Sequence, residues 1–154
     1  MKLATRQEIN QLISVYRSND LPRAQALAVH LASQYPDDAM VFNILIVVGI
    51  RNENLTLARQ AGERAVKLNA DYRDAVFNLA NVYLLQRDFY AAKSLMNAWL
   101  ARYEDDQQGF SVLLEVANEL SEKYDALFYC ERLLHCDSKD EKLAVLKAQL
   151  LQGL

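Results

Sequence analysis

The chain has 154 residues, 52% of them hydrophobic, with only four glycines and two prolines. That is apolar material for the core of one ordinary domain, or of roughly four or five short repeats, with too little glycine and proline for β-hairpins or disordered linkers, so packed helices are expected. A formal net charge of −3 gives no general attraction to a phosphate backbone or an anionic lipid surface, and neither nucleic acid nor a membrane is expected as a partner.

In chain order, Met1-Lys2-Leu3-Ala4-Thr5-Arg6 reaches its charges before any apolar stretch long enough for a signal peptide, so a cytoplasmic location is expected. Apolar residues at a spacing of three to four then predict helices over 5–17, 21–34, 38–51, 55–69, 72–86, 89–103, 106–120, 123–136 and 140–152. The breaks Asn19-Asp20, Asn52-Glu53-Asn54, Arg87-Asp88 and Ser121-Glu122 supply oxygen acceptors for the unpaired N–H groups of the next helix, and Pro22 suits a first helical turn. The longest apolar run, 39–50, is interrupted by Asn43 and Gly49 and falls short of the ~20 residues that cross a bilayer; it reads as a buried helix. Glu104-Asp105-Asp106 reads as a turn and helix start. Cys130 and Cys136 fall on different faces of one expected helix, where no intrahelical bridge can close, so both are expected as reduced thiols.

Ala24, Ala58, Ala92 and Ala126 stand 34 residues apart, and the surrounding apolar pattern repeats with them. A period of this length fits a helix–turn–helix unit that cannot bury its apolar face alone and stacks on its neighbours. The alanines anchor units 5–38, 39–72, 73–106 and 107–140, followed by a remnant, 141–154, in one expected domain over 1–154. Each alanine is expected where the second helix of a unit crosses the first too closely for a larger side chain. The third unit, with Phe77, Leu79-Ala80, Tyr83, Asp88-Phe89 and Ala92 in order, resembles a tetratricopeptide repeat (TPR). The resemblance covers 5–140, and 141–154 is similar to the extra helix that caps such arrays. It implies an all-α, right-handed α-solenoid of helix–turn–helix repeats, acting as a non-enzymatic scaffold that binds a protein or peptide. The chain departs from the pattern where the small residue expected beside Leu79, present as Ala80 in the third unit, becomes Leu12, Ile46 and Leu114 elsewhere. The late small residue survives only as Ala65, against Leu31, Trp99 and Leu133.

In this family the first helix of each repeat lines a concave groove. Carried over position by position, the lining implied is Ile9, Ile13 and Arg17, then Asn43, Val47, Ile50 and Arg51, then Phe77, Asn78, Asn81 and Leu84. The same lining includes Asn10, Tyr16, Met40, Ile44, Asp74 and Leu85, and Gln108, Ser111, Val112, Glu115, Asn118 and Glu119 continue it in the fourth repeat. Ile9, Ile13, Val47, Ile50, Phe77 and Leu84 stand where water-facing polar residues are the rule, which suits an apolar or amphipathic segment of a partner. The three asparagines can bond an extended backbone, and Arg17 and Arg51, at one repeat position, can hold a carboxylate. The competing expectation is that the apolar lining meets the chain's own terminal segments, or a second copy through the groove or the C-terminal helix. The clamp that holds a chaperone's C-terminal carboxylate, Lys and Asn in one first helix and Lys and Arg two repeats later, is missing: its sites are Ile9 with Ile13 and Asp74 with Asn78, or, starting one repeat later, Asn43 with Val47 and Gln108 with Val112. Two other functional readings stay open, the N-terminal array of a larger bacterial sulfotransferase or glycosyltransferase, and a small TPR secretion chaperone. There is no glycine-rich phosphate loop, no Gly-x-Ser-x-Gly and no His-Glu-x-x-His, so no enzyme activity, cofactor or metal is expected. His135-Cys136-Asp137 with Cys130 has irregular spacing for a metal site, and His30 has no partner by spacing.

Overall fold

The computed structural model describes residues 1–154 as a succession of helices: α1 (Arg6–Arg17), α2 (Leu21–Gln34), α3 (Ala39–Arg51), α4 (Leu55–Leu68), α5 (Arg73–Leu85), α6 (Phe89–Leu100), α7 (Gln107–Glu119), α8 (Lys123–Cys136) and α9 (Glu141–Gln152). Each bound lies within one residue of expectation except the end of α6, which stops at Leu100 rather than at 103. There the Tyr103 N–H returns to the Trp99 carbonyl at 2.9 Å, and the Tyr103 ring packs on the indole with centroids 4.2 Å apart. The indole N–H also donates to Asp106 Oδ2 at 2.9 Å. The large side chain at this position ties the turn to the start of α7, so residues 101–103 leave the helix.

The 34-residue period is written in the backbone as well as in the alanines. Asn19, Glu53, Arg87 and Ser121 are the positive-φ residues of the chain, at 63°, 56°, 58° and 58°. Each follows the first helix of a unit. In the second unit the Asn54 N–H reaches the Gly49 carbonyl at 2.8 Å and the Glu53 N–H reaches Ile50 at 3.1 Å, the paired closure that ends a helix with one left-handed residue. The next residue caps the second helix: Asp20, Asn54 and Asp88 accept from the N–H groups of Arg23, Leu57 and Ala91. Glu122 makes no such cap, because its carboxylate accepts from Lys93 Nζ at 2.6 Å. First helices start on Asp38, Asp106 and Asp140, whose side chains accept backbone N–H bonds, while Tyr72 at the corresponding place before α5 does not cap.

The chain divides into two compact units, residues 1–86 and 87–154. In the first, α3 packs against α2, α4 and α5. This explains its lack of a polar face: Val41, Leu45, Ile46, Val48 and Gly49 are buried, and Ile44, Val47 and Ile50 are half-buried. At the α3–α4 crossing a Cβ on Gly49 would lie 3.1 Å from both the Cβ and the backbone nitrogen of Ala58, so only the smallest side chains fit on either helix. The N-terminal segment is tied down where the Ala4 N–H donates to Asp38 Oδ2 at 2.9 Å. Glu8 closes a capping box with Thr5 and accepts the Tyr35 hydroxyl at 2.8 Å; the hydrogen bonds from Thr5, then that from Tyr35, hold its carboxyl below the usual carboxylate range.

In the second unit α7 packs on α6 and α8, and α8 on α9. Its core joins Phe110, Leu114, Ala117, Ala126, Cys130 and Leu133. Leu143, Leu146 and Leu150 of α9 lean on this cluster, yet α9 has no buried residue of its own. Cys130 is fully buried with its thiol donating to the Leu143 carbonyl at 3.2 Å, whereas Cys136 is exposed, and both are free. Burial pushes the Cys130 thiol up from its ordinary pKa. No helix is long and apolar enough to cross a membrane.

Candidate functional site

The helices that position the expected groove residues of the first unit are α1, α3 and α5. Ile13 of α1 and Val47 of α3 line a cleft of about 220 Å³, completed by Tyr16, Arg17, Asn43, Ile44 and Val48. Four of the residues expected from the repeat register, Ile13, Arg17, Asn43 and Val47, therefore meet in one place. Three others are spent on the protein itself or nearly so. Ile9 belongs to the core, Phe77 is buried with the Arg73 guanidinium 4.4 Å above its ring, and Ile50 is half-buried against the core. Leu84 is half-buried and Asn81 exposed.

Polar contacts fix the floor and the rim of the cleft. Asn43 Nδ2 donates to the Tyr72 hydroxyl at 3.2 Å, and its Oδ1 accepts from Asn78 Nδ2 at 2.9 Å. Two of the three asparagines expected to meet a partner's backbone thus bond first to each other, and the relay joins α3 to α5 and its N-cap. The amide of Asn43 keeps one donor and one acceptor site beyond these bonds. Burial raises the pKa of the Tyr72 hydroxyl, which stays protonated. At the rim, the Arg51 guanidinium lies 5.0 Å over the ring of Tyr16 and donates to Asn19 Oδ1 at 3.0 Å. Arg17, which lines the cleft, is exposed, and no carboxylate lines the cleft. Tyr72 is the residue sequence reasoning missed. Its signal was present: it replaces the aspartate that starts the first helix of the other late units, so its side chain was free for another task.

The second unit has a depression of its own with a largely polar border. Gln107, Gln108, Ser111, Asp137 and Asp140 border a depression of about 490 Å³ together with three leucines. Cys130 points inward and Cys136 outward, so the His135-Cys136-Asp137 run does not gather around one point.

No protein-family model and no curated sequence matches the chain. Solved structures do. MamA from Desulfovibrio magneticus superposes with a TM-score of 0.79 at 12% identity, over 94% of this chain and 82% of that one. YrrB, a TPR protein with an unusual peptide-binding site, gives a TM-score of 0.78 at 15% identity, over 96% and 76%. TTC0263, a TPR protein from Thermus thermophilus, gives 0.64 at 20% identity, over 92% and 78%. The chain has the TPR fold. Within the TPR register the large residues at two small-residue positions, Leu12, Ile46 and Leu114 at one and Leu31, Trp99 and Leu133 at the other, are buried. The TPR first helices α1 and α3 are also the two that wall the cleft.

Proposed function

We propose that the chain is a protein-interaction module whose α1–α3 cleft seats an apolar side chain from a segment of a partner protein. The observation that carries this reading is the meeting of Ile13, Ile44 and Val47 with Asn43 and Arg17 in one open recess on the first helices. Large apolar side chains left half-exposed together are the usual mark of an interface. YrrB, which shares the fold, has an unusual peptide-binding site, which supports a peptide-binding role for this chain. Covering one large apolar side chain contributes about 1.5–3 kcal/mol before ordering costs are subtracted. Charges on both walls should therefore abolish binding. Ile13→Lys combined with Val47→Glu is expected to lose partner capture while circular dichroism and melting stay close to wild type. Unchanged capture would sink the reading, and a wild-type dimer that becomes monomeric in the variant would assign the cleft to self-association.

A further inference from the structure

We infer that the segment this cleft takes is acidic beside its apolar anchor: a large apolar side chain seats between Ile13, Ile44 and Val47, and an Asp or Glu side chain one or two positions away pairs with Arg17 and Arg51. This rests on the groove reading above and adds a charge requirement to it. Size argues first. At about 220 Å³ the cleft lies below the ~300–1,000 Å³ of small-molecule sites and has room for one side chain, so the rest of a ligand must lie along the rim.

The rim is cationic without compensation. Arg59 and Arg64, elsewhere in the same unit, are paired with Glu63 and Asp37 at 2.9 and 3.2 Å. Arg51 instead rests on the π face of Tyr16 and a neutral amide oxygen, Asn19 Oδ1, which hold the guanidinium in place and leave its charge unmatched. Arg17 lines the cleft itself, and neither α3 nor the cleft lining contains an acidic residue. A guanidinium already ordered by stacking loses little freedom when it donates to a carboxylate, so the pairing is cheaper there than at a mobile side chain. The carboxylate is a side chain rather than a chain terminus, because the positions that grip a terminal carboxylate in TPR clamps are here Ile9, Ile13, Asp74 and Asn78.

The test is a selection of random 12-residue peptides, displayed without a free C-terminus, on the full chain. The enriched set should carry Leu, Ile or Phe with Asp or Glu within two positions. Synthesised in amidated form, these peptides should bind wild type about tenfold or more tightly than Arg17→Gln/Arg51→Gln, and lose affinity as salt rises. Arg17→Glu/Arg51→Glu should turn the preference toward basic peptides, a reversal that mere damage to the fold cannot produce. Peptides that need Ile13 and Val47 but ignore both arginine variants would overturn the charge requirement and leave the groove reading standing. Peptides indifferent to Ile13→Lys/Val47→Glu, or a selection that enriches nothing, would overturn both. Binding only by peptides with a free C-terminal carboxylate would overturn the side-chain assignment.

Discussion

Glu53 sits at φ 56°, a conformation in which its Cβ crowds the following carbonyl, and it has no hydrogen bond from its side chain to offset that crowding. Glycine would adopt the same turn without the clash, at the smaller expense of a more disordered unfolded chain. Glu53→Gly is therefore expected to stabilise the protein by about 0.5–1 kcal/mol, read as an upward shift of the denaturant midpoint with an unchanged slope. A lower midpoint would mean that Glu53 has a partner in solution. None of the four left-handed positions is glycine, so this feature was not legible from residue type; only the backbone reveals that they share it. The cysteines show the opposite case, where helical phase alone separated an inner thiol from an outer one. Burial raises the Cys130 thiol pKa, so at neutral pH it stays protonated as well as inaccessible. Alkylation of the native protein followed by mass spectrometry should label Cys136, with Cys130 reacting only after unfolding; equal labelling would contradict the packing of α8 on α9.

At the scale of elements, the repeated alanines hold the helix crossings. Ala58 is fully buried, with its backbone in the path of any side chain at Gly49. Ala58→Leu should overpack this crossing and destabilise the fold by about 1–3 kcal/mol in equilibrium unfolding. A neutral result would show that α3 and α4 can separate without penalty. Helix bounds were legible because caps and periodicity are local, and the exception is instructive. The end of α6 depends on Trp99 reaching Asp106 and Tyr103, contacts between side chains whose meeting the apolar period does not encode. The same holds for Asn43 and Asn78. Their placement on first helices follows from the register, but their bond to each other and to Tyr72 depends on how α3 and α5 approach.

For the whole molecule, stability in a stacked array is a sum of local terms, so protection should follow burial along the chain. Amide hydrogen exchange is expected to be slowest in α3, enclosed by α2, α4 and α5, and fastest in α9, which buries no residue and leaves Val145 and Leu151 about half exposed. Protection of α9 equal to that of α3 would show that its outer face is covered in solution. The all-helical class, the 34-residue register, the caps at Asp20, Asn54 and Asp88 and the list of side chains on the first helices could be read from residue order, because each follows from periodicity and from bonds made within a few residues; the cap expected at Glu122 could not, since Lys93 takes its carboxylate. Tertiary structure decided which of those side chains remain available. Ile9 and Phe77 fill the chain's own interior, Asn43 and Asn78 bond to each other, and Ile13, Val47 and Arg17 are left at an open cleft. A repeat pattern places a residue on a face, but whether that face meets water or a neighbouring helix depends on the distance and angle at which helices pack, and those are set by side-chain volumes far apart in the chain.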